Sequence, residues 1–422
     1  MIPSPVPISE DLCIHPGPAL LADPQVGRTQ TAHRERYGQL PALDLPQLME
    51  LVESAGLRGR GGAAFPFAVK LRTVAERRRR PVVVVNLSEG EPASAKDSAL
   101  VQTRPQLVLD GAVAAARALG SREVHVVLPG DRPRTAAAML AAMRERTDDV
   151  ELRPHHASAR FVAGQARAVI ELIEGRPNLP TTSWAPEAVA GVRGRPTLLS
   201  NAETWAHVGL LALRGASAYQ EHGTIDEPGT TLLTISAPGQ RPEIHEVEYG
   251  TRLRDLLPDT AIGGPALIGG FHGSWVTWET LTQVRVSVPG MRELGLALGA
   301  GVVHTVGPQR CTLDLTSRIV DYLAQQSAGR CGPCFNGLPA LALAVREALA
   351  GVDARERIEQ LAATVERRGA CAHPDGTVRL VRSLFTMLPM EMAAHSVGSC
   401  TGMRSGGPVP AGRALTLAGA AS

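Results

Sequence analysis

Four consecutive valines, Val82 to Val85, lie between Pro81 and Asn86 and constrain this chain more than any other stretch. A β-branched run with no polar alternation belongs to a parallel strand buried on both faces. Such a strand needs helices on either side, and the flanking pattern supplies them. Leu45, Leu48, Leu51 and Val52 recur at helical spacing ahead of Gly56. Further helices are expected from Pro66 to about Arg80 and near 106–119, 132–145 and 163–174, with strands at 123–129 and 150–153. Residues 40–225 are therefore expected to form an α/β domain, preceded by an extended arm at 1–39.

Beyond that point the pattern changes. TTLLTIS (230–236), EIHEVEY (243–249) and PALIGG (265–270) are short strands divided by Gly and Pro, with one helix near 252–257. A small α+β module is expected at 226–300. From Asp314 onward, helical patterns at 314–327, 337–350, 354–368 and 377–395 have short connections, as in a helical bundle, within a domain at 301–400. Residues 401–422 are expected to be a flexible tail.

Composition removes several function classes. With 44% hydrophobic residues, 20% charged and a net charge of +2, the chain is neither a disordered polymer nor a protein built to bind nucleic acid. No apolar run approaches the ~20 residues needed to cross a bilayer. The N-terminus lacks the basic and apolar regions of a secretory signal, so a cytoplasmic protein without direct membrane insertion is expected. Six cysteines, Cys13, Cys311, Cys331, Cys334, Cys371 and Cys400, are too few for a disulfide framework.

Of 43 basic residues only Lys70 and Lys96 are lysines, and both lie near Asn86, one of four asparagines. A lysine kept in an arginine-rich chain suggests that a compact point charge was wanted. Around these residues are two segments able to carry chemistry. In GLRGRGGAAFPFAVK (56–70), small residues let backbone N–H groups approach an anion, and Arg60 and Lys70 could add charge-assisted contacts to a phosphate. Its spacing matches neither common nucleotide loop, so a plain surface loop is an equal reading. NLSEGEPASAKD (86–97) leaves the carboxyl end of the valine strand, where open α/β sheets place ligands, and groups Asn86, Glu89, Glu91, Lys96 and Asp97. A third segment, Cys331-Gly-Pro-Cys334 with Cys371 further on, has the spacing of a metal or cluster site. A redox dithiol, and a zinc site completed by His373, are the other readings.

These segments, with FVAGQARAVIELIEG, RPTLLSNAET and GRCGPCFNG, occur in the order and approximate spacing of the flavin-bearing, NADH-oxidising subunit of respiratory complex I. The chain resembles that family, which also serves NAD-linked hydrogenases and formate dehydrogenases, over about residues 40–400. The resemblance implies an α/β FMN-binding domain, a β-grasp soluble-ligand-binding module and a helical bundle holding a [4Fe–4S] cluster. It implies FMN-contacting positions at Gly59, Arg60, Gly61, Gly62, Lys70, Asn86, Glu89, Asn201 and Thr204. Phe65 matches an aromatic facing the NADH adenine, Glu91 a carboxylate beside the NADH site, and Cys331, Cys334 and Cys371 cluster ligands. It further implies electron transfer from NADH through FMN and the cluster to a ferredoxin-like, thioredoxin-like iron–sulfur or quinone-linked acceptor.

There are departures from the family pattern. Ala328 occupies the first cluster cysteine position, which leaves His373, Asp375, Cys400 or water to complete the set, unless the cluster has three irons or is lost. Gln165 and Ala166 replace two glutamates, Ser88 an aspartate and Ser200 an asparagine. Two readings from other classes follow: a non-catalytic paralogue that keeps the fold, and a zinc-stabilised scaffold.

Overall fold

The computed structural model describes residues 4–6, 8–24, 28–307 and 310–400; the tail expected at 401–422 lies outside them. Its strands are β1 (Cys13–Ile14), β2 (Val82–Asn86), β3 (Glu123–Leu128), β4 (Glu151–His156), β5 (Thr197–Asn201), β6 (Thr230–Ser236), β7 (Glu243–Glu248), β8 (Ala266–Ile268), β9 (Ser274–Val276) and β10 (Val302–Thr305).

The valine run is β2, an inner strand of a four-stranded parallel sheet of order β4-β3-β2-β5. Its side chains alternate between two cores. Val83 and Val85 join the helices Pro105–Ala118 and Ala202–Gln220, while Val82 and Val84 meet Val169, Ile170 and Ile173 of the helix Ala166–Ile173. The helices Pro105–Ala118 and Ala202–Gln220 cross closely, and glycine is required at the contact. A Cβ on Gly111 would lie 1.9 Å from the Trp205 carbonyl oxygen, and one on Gly209 2.3 Å from that of Leu107. The Trp205 indole N–H donates to the carbonyls of Val84 and Ser200, fixing the second helix to the sheet. The chain leaves β2 toward β3 and β4, then returns on the other side as β5. The crevice beyond the carboxyl ends of β2 and β5 is therefore the topological switch point of this sheet.

A second, mixed sheet has the order β1-β7-β6-β10-β8-β9. It includes β10, beyond the boundary expected at residue 300, and β1 from the segment expected as an extended arm. That segment also holds the helix Gln30–Tyr37. The helices Thr312–Gln325, Leu338–Leu349, Arg355–Val365, His373–Met387 and Pro389–Ser396 follow. Ile319, Leu323, Leu341, Val345, Val381 and Leu384 form their common core, which continues onto Phe271 and Trp275 of the second sheet region. The single helix expected over 377–395 is two helices, because Pro389 has no N–H to continue the ladder. Strand β5 and the helix Lys96–Thr103 are not evident from the sequence pattern. Thr197–Leu199 is too short an apolar stretch to stand out, and the helix has no local side-chain cap. No helix among the described residues is long and apolar enough to cross a membrane.

Candidate functional site

At the switch point Asn86 and Asn201 are paired in register as the last residues of β2 and β5. Asn86 donates through Nδ2 to the Gly164 carbonyl at 2.8 Å and accepts the Ser88 N–H. Asn201 caps the helix Ala202–Gln220 by accepting the Thr204 N–H, and its Nδ2 donates to the Asp97 carboxylate and the Arg60 carbonyl. Thr204 is buried, and its Oγ1 accepts the Arg60 N–H at 2.9 Å. The glycine-rich loop is thus tied to the end of β5 through its own backbone.

The loop closes on itself, with the Gly59 N–H donating to the Phe65 carbonyl. Gly61 is open, since no atom lies within 4 Å of where its Cβ would be, and Gly62 adopts φ +96° against the Gly299 carbonyl. Phe65 is 49% exposed. Lys70, on the helix Phe67–Ala75, donates from Nζ to Glu187 and to the Leu199 carbonyl, both at 3.0 Å. Burial raises the Glu187 carboxyl, but the charge and hydrogen bond of Lys70, a backbone N–H and Arg167 together hold the group below its usual range.

Two expected contacts are corrected. The Arg60 guanidinium does not reach toward a phosphate. It is buried, donates to Tyr219 Oη and the Thr230 carbonyl, lies 3.6 Å from Glu203 and stacks over Tyr249. The Glu89 carboxylate is likewise occupied, accepting from Ser94, from the backbone of Asp97 and Ser98 and from the Ser98 hydroxyl, with Arg132 at 3.1 Å. It serves as the remote N-cap that the helix Lys96–Thr103 lacks locally. Lys96 is also internal, between Asp97 and Glu203.

Glu91 differs from these. It is buried, accepts N–H groups from Ala93 and Phe271, and has its carboxyl pushed up to about 7, chiefly by burial. It adjoins a group of rings in which Phe161, Phe271, His272, Tyr322 and His373 lie within 6.4 Å of one another in linked pairs. With only 3% aromatic residues in the chain, this concentration joins the crevice to the helical region.

The three predicted thiols converge there. Cys334 lies on a π-helical turn, Pro333–Gly337, with Cys331 and Cys371 as neighbours. Burial pushes its thiol up to about 12, opposed by an N–H from Ala328. Burial also raises Cys371, opposed by the His373 N–H and the side-chain amide of Gln165. Nearby backbone N–H and amide groups that favour the thiolate form suit sulfurs that carry a cluster. His373 has both ring nitrogens engaged, by His272 and by the Leu323 carbonyl, so it does not complete a Cys₃His zinc set. Cys400 lies elsewhere, beside Glu391.

Residues 52–210 match the Nuo51 FMN-binding domain, and residues 314–395 match the NADH-ubiquinone oxidoreductase-F iron-sulfur binding region. The chain carries matches to both domains, in the order of the family it resembles. It is 27% identical over 400 residues to an F subunit of the NADH-quinone oxidoreductase of Rhizobium meliloti, covering 89% of this chain and 94% of that one. To the F subunit of the Salmonella typhimurium enzyme it is 28% identical over 399 residues, covering 87% and 88%. A NAD+-reducing [NiFe]-hydrogenase in its air-oxidised state superposes with a TM-score of 0.80 at 25% identity, over 91% of this chain and 68% of that one. In the H2-reduced state the TM-score is 0.76, and 84% of this chain spans 63% of the hydrogenase chain.

Set against this family, the crevice retains what a phosphorylated, amide-bearing ring system needs. It offers the Lys70 ammonium, two carboxamides, an open glycine at 61 and the buried Ser88 hydroxyl, which has no partner of its own. FMN fits that donor set. The thiol site offers three ligands to a [4Fe–4S] cluster, with Ala328 at the sequence position of a fourth cysteine. Sequence reasoning missed Gln165 as a link between the sites. Gly164 accepts from Asn86, and the side chain of the next residue lies near enough to Cys371 to favour its thiolate. In the sequence the substitution shows only as a lost carboxylate.

Proposed function

We propose that this chain is an FMN-dependent, NADH-oxidising electron-transfer subunit. The observation that carries the reading is the crevice beyond β2 and β5, where Asn86 and Asn201 stand in register near Lys70 within the matched FMN-binding domain, followed in the chain by the thiols of a matched iron–sulfur region. Bound FMN supplies the conversion between a two-electron hydride donor and one-electron carriers. Lys70 and the backbone at Gly59–Gly62 hold the phosphate and ring, and Asn86 and Asn201 hold the hydroxyl-bearing chain between them. Thr204 holds the loop in place. Phe65, exposed at the loop tip, stacks the adenine. Glu91, uncharged below about pH 7, places little negative charge beside the nicotinamide site. Cys331, Cys334 and Cys371 hold the [4Fe–4S] cluster, and a ferredoxin-like or thioredoxin-like iron–sulfur subunit accepts the electrons.

The same reading takes residues 40–225 as the FMN domain, 226–300 as the core of a β-grasp module and 301–400 as a helical bundle, in a cytoplasmic protein. The test is anaerobic reconstitution with FMN, iron and sulfide, followed by NADH. Flavin and cluster absorption that both bleach support the proposal; flavin that binds and ignores NADH rejects it. A non-catalytic electron-transfer or assembly paralogue is the second reading, favoured by Gln165 and Ala166 in place of two carboxylates. Lys70→Ala should lower FMN occupancy several-fold, and full occupancy in that variant would remove its assigned role.

Glu91 gives a pH signature independent of cofactor. Its folded carboxyl is raised from an ordinary 4.5 to about 7, so the folded state holds more protons than the unfolded chain between those values. Stability therefore falls as pH rises through that window, by on the order of 3 kcal/mol for this group, and is level above it. Glu91→Gln should gain relative to the parent from pH 5 to pH 8 in thermal melts. Parallel melting curves would show that Glu91 titrates normally.

A further inference from the structure

Cys311, Glu391, His395 and Cys400 bring four ligand atoms to within 4.8 Å of one another, apart from the three thiols of the iron–sulfur region. We propose that they form a second, structural metal site that binds one divalent cation of zinc type. This inference stands independently of the FMN and NADH reading.

The donor set is assembled from three segments. Cys311 precedes the helix Thr312–Gln325, and its Sγ accepts the Asp314 N–H at 3.2 Å. A sulfur accepting an N–H at a helix N-terminus is favoured as thiolate, the form that ligates metal. Burial raises this thiol in the other direction, and a coordinated divalent cation outweighs that penalty. Glu391 and His395 are four residues apart on the helix Pro389–Ser396, so they share one face. Cys400 follows that helix. Glu391, His395 and Cys400 are 3%, 5% and 4% exposed.

Four of the six donor spacings are close to those of a tetrahedron, and all lie within 4.8 Å. Around a zinc ion with bonds of ~2.0–2.3 Å, neighbouring donors lie about 3.3–3.8 Å apart. Here Cys311 Sγ is 3.1 Å from Glu391 Oε1 and 3.2 Å from His395 Nε2. Cys400 Sγ is 3.6 Å from Glu391 Oε1, and His395 Nε2 is 3.4 Å from the same oxygen. A cation at the centre needs only small outward shifts of these atoms.

The histidine is prepared for the role. Its Nδ1 meets the Leu349 carbonyl at 3.1 Å, which places the ring proton there and leaves the Nε2 lone pair facing the two sulfurs and the carboxylate. Metal-binding histidines are oriented in this way. Among the described residues Glu391 has no lysine or arginine partner, only His395. A buried carboxylate converging with two thiols calls for a positive charge, and a divalent cation supplies it. Two sulfurs, one imidazole and one carboxylate, all enclosed, suit zinc in a closed structural site with no open position for substrate. The site would fasten the end of the helix Pro389–Ser396 to the start of the helix Thr312–Gln325.

The test uses the full chain, purified without chelators or immobilised metal, with zinc and iron counted by mass spectrometry. The expected result is one zinc per chain, with X-ray absorption showing two sulfur and two nitrogen or oxygen ligands. Cobalt(II) should enter the same site and show tetrahedral d–d bands with thiolate charge transfer. Cys311→Ser and His395→Ala should each lose at least tenfold in cobalt affinity, whereas Cys334→Ser should keep it unchanged. If His395→Ala does not fold, His395→Cys provides the check, because it should hold cobalt with stronger charge transfer from a third thiolate. Wild-type chain that binds neither zinc nor cobalt overturns the proposal. So does zinc that follows Cys334 and ignores Cys311.

Discussion

Two groups of cysteines in the helical part of this molecule teach opposite lessons. Cys331, Cys334 and Cys371 have the spacing that announces a cluster, lie in a matched iron–sulfur region, and lack a fourth protein ligand at Ala328. Cys311 and Cys400 have no such spacing, yet with Glu391 and His395 they make a full four-donor set. The motif marks a site by short sequence separation. Completeness depends on which helix ends the packing brings together.

The largest contrast comes from removing one sulfur from each group. Cys334→Ser should abolish the cluster chromophore and leave zinc in place, and Cys400→Ser should do the reverse. If either substitution empties both sites, the two groups form a single centre and the comparison fails. A smaller effect should come from completing the first group. Ala328 holds the sequence position of the missing cysteine, and its backbone lies near enough to Cys334 to favour that thiolate. Ala328→Cys should raise iron bound per chain after reconstitution and slow the cluster's loss in air. Unchanged iron would mean that another group already serves as fourth ligand.

Much of this arrangement can be read in the sequence. Four valines followed by Asn86 predict a buried parallel strand with a ligand site at its carboxyl end, and β2 is that strand. The ordered motifs point to the flavin and cluster regions, and the gap at Ala328 is visible without coordinates. What cannot be read is the direction of a charged side chain. Arg60 in a glycine-rich loop looks the same whether its guanidinium meets a ligand or turns inward to Tyr219 and Glu203. Glu89 looks the same as a ligand contact or as the cap of a helix. The unannounced metal set is hidden for a different reason. Glu391, His395 and Cys400 are close in sequence, but Cys311 joins them only because the helix Pro389–Ser396 folds back after Pro389.

The subtlest test concerns the link between crevice and cluster. The Gln165 amide lies near enough to Cys371 to favour its thiolate, at a position where the family pattern has a glutamate. An N–H directed at a cluster sulfur stabilises added negative charge, so it favours the reduced cluster. Gln165→Glu removes that donor and adds a carboxylate at close range. Both changes disfavour reduction, and their signs agree. A unit charge at such a distance is worth ~1–4 kcal/mol, depending on how far water screens it. For a one-electron couple this is roughly 40–170 mV toward more negative potential. Spectroelectrochemical titration of the reconstituted protein reads the shift directly, and zinc content should not change. An unchanged potential would detach Gln165 from the cluster and break the side-chain link between the flavin crevice and the thiols. A shift of the expected sign would instead mark Gln165 as a residue that sets the cluster at higher potential than a glutamate would allow, in a chain whose fourth cysteine is already gone.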